Sequence, residues 1–141
     1  MTTGSKAGLV QVAQHADDLG RAERFYTHLL GRQPLARFEP PGLLFSGLGE
    51  VRLLLDSGAP SALLYLPVDD LAGLVRELRG SGVEVVSDPH VIFTHTDASL
   101  GPAGHDEWQA FIRDSEGDLV SLVEHLPTRD RPLPASSAEA G

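Results

Sequence analysis

Apolar residues change their period along this chain, and the changes mark out elements. Leu9-Val10-Gln11-Val12-Ala13-Gln14 is short, partly β-branched and followed by polar residues, which predicts a strand. Leu19, Ala22, Phe25, Tyr26, Leu29 and Leu30 then recur at helical spacing. Asp17-Asp18 supplies an N-cap for that helix, and Gly31 stands where a left-handed residue would end it. Three short apolar runs follow, Leu35–Phe38, Leu43–Ser46 and Val51–Asp56. Pro40-Pro41-Gly42 and Gly47-Leu48-Gly49 separate them, which predicts an antiparallel meander.

The pattern then restarts. Ala62–Leu66 reads as a strand. Asp69-Asp70-Leu71 opens a second helix with Leu71, Leu74, Val75 and Leu78 on one face, and Gly80-Ser81-Gly82 ends it. Val83–Ser87, Val91–Thr96, Glu107–Arg113 and Leu119–Glu124 are strand candidates, one more than the first half contains. This is an internal repeat, and a repeat constrains architecture before any motif is considered. The expected fold is α+β, with two βαβββ units in one chain forming a curved mixed sheet around a ligand cavity. The domain would span residues 9–126, with units at about 9–58 and 61–126. Residues 1–8 would be a flexible N-terminus. Residues 127–141, with Pro127, Pro132 and Pro134 among small and charged residues, would be a disordered tail.

Charge and composition narrow the partners. The 141 residues carry a net charge of −9. A pI near 4.9 argues against nucleic acid and against an anionic membrane surface, both of which need clustered Lys and Arg. The absence of cysteine excludes disulfides, thiolate nucleophiles and Cys-type zinc sites. No signal-like segment or membrane-length apolar run is evident, so a cytoplasmic protein is expected. There is no GxSxG nucleophile elbow, no P-loop and no GxGxxG.

Several short segments, in order, resemble the vicinal oxygen chelate superfamily of glyoxalases, extradiol dioxygenases and bleomycin-binding proteins. In the first unit they are Val12-Ala13, Asp18-Leu19, Arg21-Ala22, Phe25-Tyr26 and Leu29-Leu30-Gly31. In the second they are Val68-Asp69-Asp70-Leu71, Leu78, Gly82-Val83-Glu84-Val85 and Phe111 to Asp118. The resemblance implies a homodimer that handles a small organic molecule. It also implies positions for metal ligands, and here those hold Gln11, Leu53 or Leu54, Leu63 and Ser121. Leucine cannot ligate a cation, and an amide and a hydroxyl are poor substitutes for imidazole and carboxylate. No cofactor is therefore expected.

Other residues remain as candidates. Glu107, Gln109 and Phe111 share one face of a strand, by resemblance the cavity face, with Trp108, Ala110 and Ile112 on the other; the opposite register is also open. Gln11, Leu53, Leu63, Gln109, Phe111 and Ser121 are the expected ligand-binding residues. His90 and Glu107 are the candidate acid–base pair, since imidazole titrates near neutrality. His90, His105 and Glu107 are the alternative set for one divalent metal ion, with His95 and Asp97 near in sequence. His28 and His125 read as solvated, and His15 as part of a turn. Two functions follow. One is a metal-free small-molecule binder that sequesters a drug or metabolite. The other is a lyase, epimerase or oxygenase that uses relocated ligands or an acid–base pair.

Overall fold

The computed structural model describes residues 8–131. The first unit begins with β1 (Gln11–His15) and α1 (Leu19–Leu30), then β2 (Ala36–Phe38), β3 (Leu43–Leu48) and β4 (Val51–Asp56). The second contains β5 (Leu64–Pro67), α2 (Leu71–Gly80), β6 (Val85–His95), β7 (His105–Arg113) and β8 (Leu119–Pro127). A 3-10 turn follows at Thr128–Asp130. The strands form two four-stranded sheets, ordered β1-β4-β3-β2 and β5-β8-β7-β6. The order is the same in both: the first strand lies beside the last, and the middle strands fold back from there. In the first sheet β1 runs parallel to β4, and the other pairs are antiparallel. The two βαβββ units expected from the repeat are present.

Both helices start by the same device. Asp18 accepts the backbone N–H of Arg21 at 3.0 Å, and Asp70 accepts that of Gly73 at 3.1 Å. Each carboxylate thus satisfies one of the donors that a helix start leaves without an intrahelical partner. Gly31 takes φ 69°, a left-handed value, and its N–H bonds to the Thr27 carbonyl. α1 buries Ala22 and Tyr26, and the first sheet contributes Leu44, Leu53 and Leu55. α2 buries Leu71, Val75 and Leu78, and the second sheet contributes Ala110, Ile112, Val120 and Leu122.

Three boundaries differ from the expectation. Val83–Ser87 and Val91–Thr96 are parts of one eleven-residue strand, β6. Pro89 lies within it, and β6 is an edge strand, where a proline is tolerated on the side that faces away from the ladder. Its pairing with β7 absorbs irregularities at Val85/Ser87, Ser87/His90 and Val91/Phe93. The turn Arg113–Leu119 belongs to the first compact unit, with the chain up to Leu64. Finally, Pro127–Arg131, assigned above to the tail, is structured. β8 runs to Pro127, and the guanidinium of Arg131 donates to Asp106 at 2.7 Å. Residues 1–7 and 132–141 lie outside the described residues.

Candidate functional site

The first unit's polar groups mostly hold its own chain. Glu116, in the turn before β8, accepts the N–H groups of Asp17 and Asp18 at 3.0 Å, and Arg21 Nε at 2.7 Å. The Arg21 guanidinium pulls the Glu116 carboxyl down to about 2. Asp114 accepts the Tyr26 hydroxyl at 2.6 Å and the N–H groups of Glu116 and Asp118 at 2.8 Å. Burial, with Asp114 adjacent, pushes the Tyr26 phenol far above its usual range, so it remains a donor. Ser61 Oγ donates to Asp118. A polar hollow of about 390 Å³ lies at the start of α1, lined among others by Asp17, Asp18, Arg37 and Glu39.

The second unit is built differently. On β7 and β8 the even-numbered residues turn toward α2. Trp108, Glu124 and Leu126 line an apolar groove of about 300 Å³ with Leu71 and Ala72 of α2, and Glu124 accepts the Leu71 N–H at 3.0 Å. Strand alternation therefore puts Glu107, Gln109 and Phe111 of β7, and Ser121 and His125 of β8, on the opposite face. This settles the register left open by the sequence: Trp108 belongs to the helix side.

On that opposite face runs a continuous polar line. Ser121 Oγ donates to Gln109 Oε1 at 3.1 Å, and Gln109 Nε2 donates to Glu107 Oε2 at 2.7 Å. The other oxygen, Glu107 Oε1, faces two imidazoles. His95 Nε2 lies 2.8 Å from it and His125 Nε2 lies 3.2 Å from it. Burial pushes the Glu107 carboxyl up, but hydrogen bonds from His95, Gln109 and His125 outweigh it and hold the group below its ordinary value. Glu107 is therefore an anion at neutral pH, and each imidazole donates an N–H to it. His95 is buried, Glu107 keeps 21% of its side-chain surface and His125 keeps 34%, so the line opens to solvent at its histidine end. The Phe93 ring packs edge-on to His95 at 4.8 Å, and His95 edge-on to His125 at 5.2 Å.

The structure sorts the expected site residues. Glu107, Gln109 and Ser121 come together through hydrogen bonds. Phe111 lies further along the Glu107 face of β7, partly exposed. His90 and His105 do not join Glu107. The His90 ring nitrogen Nδ1 meets the Asp88 carbonyl at 2.8 Å, and that of His105 meets the Ala103 carbonyl at 3.0 Å. Each ring is turned onto its own local backbone, and the histidines that lie against Glu107 are His95 and His125 instead. Among the described residues this is the His and carboxylate group whose donor atoms all lie within 4.8 Å of one another. His125 was missed because β8 continues past Glu124. His95 was passed over because β6 was read as two strands. A signal was available: the repeat's strand order puts β7 between β6 and β8, so Glu107 has a neighbour on each side.

Comparison with known proteins bears on the fold. No protein-family model matches the sequence, and no curated protein matches it. Solved structures do. A lactoylglutathione lyase from Agrobacterium tumefaciens is 22% identical, with 86% of this chain and 96% of that one covered at a TM-score of 0.60. A glyoxalase/bleomycin resistance protein/dioxygenase from Alicyclobacillus acidocaldarius is 17% identical, over 87% and 95% of the chains, at 0.59. A virulence protein from Salmonella typhimurium is 18% identical, over 87% and 100%, at 0.65. The chain has the vicinal oxygen chelate fold. At these identities the likeness is one of fold alone.

The positions where the vicinal oxygen chelate resemblance places a metal do not suit one in this chain. Gln11 Oε1 accepts Arg52 Nε at 3.1 Å. Leu53 is sealed in the first unit's core, and Leu63 is an apolar residue 41% exposed before β5. Ser121 is fully buried, with its hydroxyl on Gln109. None offers imidazole or carboxylate, and no step can be routed through a metal held there. Among the described residues no helix is long and apolar enough to cross a membrane.

Proposed function

We propose that the protein binds a small organic molecule on the Glu107 face of its second sheet, as a member of the glyoxalase and bleomycin-resistance type of fold. One observation carries this reading. A carboxylate fixed by Gln109, His95 and His125 still keeps 21% of its surface open. Polar groups held this tightly lose little further freedom when a ligand arrives, which favours binding. Phe93, 47% exposed beside His95, adds an apolar surface. Sparse, fixed polar groups beside apolar surface are the usual make-up of a small-molecule site. The ligand is polar where it meets Glu107 and His125, and apolar where it meets Phe93. The expected ligand residues thus narrow to Gln109 and Phe111, joined by Phe93, Glu107 and His125, with the buried Ser121 supporting Gln109 from behind. Leu53, Leu63 and Gln11 drop out.

A second reading rests on the His125–Glu107 pair. A carboxylate that accepts the Nε2 proton leaves the other ring nitrogen as a base, and His125 is the more exposed of the two imidazoles. That pair would move a proton of the bound molecule, replacing the expected pair of His90 and Glu107. A library screen by thermal shift, with hits confirmed by calorimetry, tests both readings. Binding should weaken at least about tenfold in Glu107→Gln, the effect of one lost charge-assisted hydrogen bond of about 1.5–3 kcal/mol. Hits indifferent to Glu107→Gln would overturn the assignment. Turnover of a hit that disappears in His125→Ala while binding persists would establish the second reading.

A further inference from the structure

The geometry points to a divalent transition-metal site formed by His95, Glu107 and His125, away from the positions where the fold resemblance would place one. It shares Glu107 with the binding face proposed above but does not depend on an organic ligand.

The argument starts from an electrostatic oddity. Two imidazole Nε2 atoms converge on a single carboxylate oxygen, at 2.8 and 3.2 Å. One hydrogen bond would satisfy a histidine–glutamate pair, and the second oxygen of Glu107 is available on the far side. That oxygen goes to Gln109 instead, at 2.7 Å. The three donor atoms therefore lie together, all within 4.8 Å of one another. Metal–ligand distances to imidazole and carboxylate are about 2.0–2.2 Å, so neighbouring ligand atoms sit about 3.0 Å apart in an octahedral shell and about 3.4 Å apart in a tetrahedral one. The two nitrogen–oxygen separations bracket the lower of these values. An ion there would take the place of the two Nε2 protons, each neutral ring then carrying its proton on Nδ1.

The surroundings are those of a supported site. Gln109, buried and itself held by the buried Ser121, holds the second carboxylate oxygen and so aims the first at the imidazoles. Such outer partners orient ligands and govern affinity. The backbone of Gly101 lies against the His95 ring: a β-carbon there would sit 2.8 Å from Cε1 and 3.0 Å from Nε2. His125 leaves the cluster open to solvent, so protein ligands fill one side and other positions remain for water or a ligand. Two neutral imidazoles and one carboxylate suit zinc, nickel, cobalt or ferrous iron, and with no cysteine in the chain a thiolate-dependent metal is not favoured.

The test uses untagged protein. Zn2+, Ni2+ and Co2+ are titrated separately by calorimetry, with the visible spectrum followed for Co2+. One ion per chain is expected. Affinity should fall by more than about a hundredfold in His125→Ala and in Glu107→Gln, since loss of a mere outer partner of a ligand already costs about tenfold to a hundredfold. His90→Ala and His105→Ala should bind as the parent does. Because His95 is buried and its loss could unfold the sheet, His125→Ala is the decisive variant, with circular dichroism as the fold control. No saturable binding would overturn the site. So would stoichiometric binding that survives both His125→Ala and Glu107→Gln, or that is lost in His90→Ala. Repeating the organic screen in chelator separates the two proposals: hits in chelator with no saturable metal binding in the titrations keep the binding face while the metal site fails, and saturable metal binding with no hits does the reverse.

Discussion

The two units share a strand order and a helix-capping device, yet they spend their polar residues differently. In the first, Tyr26, Asp114, Glu116 and Arg21 bond to one another and to backbone, tying the start of α1 to the turn before β8. Its middle strand β3 carries Leu44, Phe45 and Ser46, and its core is leucine. In the second unit the equivalent strand β7 carries Glu107 and Gln109, and the polar line ends at a partly open carboxylate between two imidazoles. A repeated fold thus separates the two demands. One copy is closed by polar contacts within its own chain, and the other leaves a carboxylate and an imidazole partly open to solvent.

Perturbing each unit in turn should show this division. The largest effect is expected from Leu53→Ala, which empties a fully buried position of the first sheet. It should cost about 2–5 kcal/mol in urea unfolding while metal affinity, measured well below the transition, stays at the parent value. Tyr26→Phe removes the hydroxyl that Asp114 accepts at 2.6 Å. The carboxylate keeps its backbone donors, so a loss of about 1–3 kcal/mol is expected from the same unfolding curves, again without effect on the second unit's cluster.

Acid should act on both units through depressed carboxylates. Glu116 falls from an ordinary 4.5 to about 2. Asp106, whose hydrogen bonds from Arg131 outweigh its burial, lies well below its usual range. A depressed carboxyl contributes stability above its unfolded pKa and loses it as pH falls toward the folded value. The melting temperature should therefore drop as pH goes from about 4.5 toward 2. Arg21→Ala should lower stability at neutral pH and flatten that limb. Asp118 has the opposite sign: burial raises it above 3.8, so its ionisation works against folding. Asp118→Asn should leave stability at neutral pH unchanged or slightly higher. The smallest effect is expected from Arg79→Ala. It breaks an exposed pair with Asp88 at 2.8 Å and should move the unfolding midpoint by no more than an amount equivalent to about 0.5 kcal/mol.

Much of the fold was legible because local signals and the repeat agreed. Asp18 and Asp70 cap where the apolar period changes, and Gly31 ends α1 in a left-handed conformation. Legibility failed where tertiary context decides. The apolar runs Val83–Ser87 and Val91–Thr96 read as separate strands, yet they join across Pro89 because β6 is an edge strand, where proline is tolerated. Arg131 stands among prolines and charges, and nothing local announces that Asp106, fully buried on β7, awaits its guanidinium. The site was half legible. Glu107 and Gln109 follow from strand alternation, and Ser121 from the position the family resemblance points to. His95 and His125 were not found, because their meeting depends on how far β6 and β8 extend and on irregularities in the β6 ladder.

The central claim is that the second unit's cluster, and not other histidines of the chain, is where chemistry can occur. The most direct measurement is a long-range proton–nitrogen spectrum of the histidine side chains in 15N-labelled, untagged protein, recorded before and after one equivalent of Zn2+. The chain has six histidines. The account predicts that the ring nitrogens of His95 and His125 shift together and saturate at one equivalent, while those of His15, His28, His90 and His105 stay where they were. Shifts centred on His90 and His105, or no saturable change at His95 and His125, would contradict it.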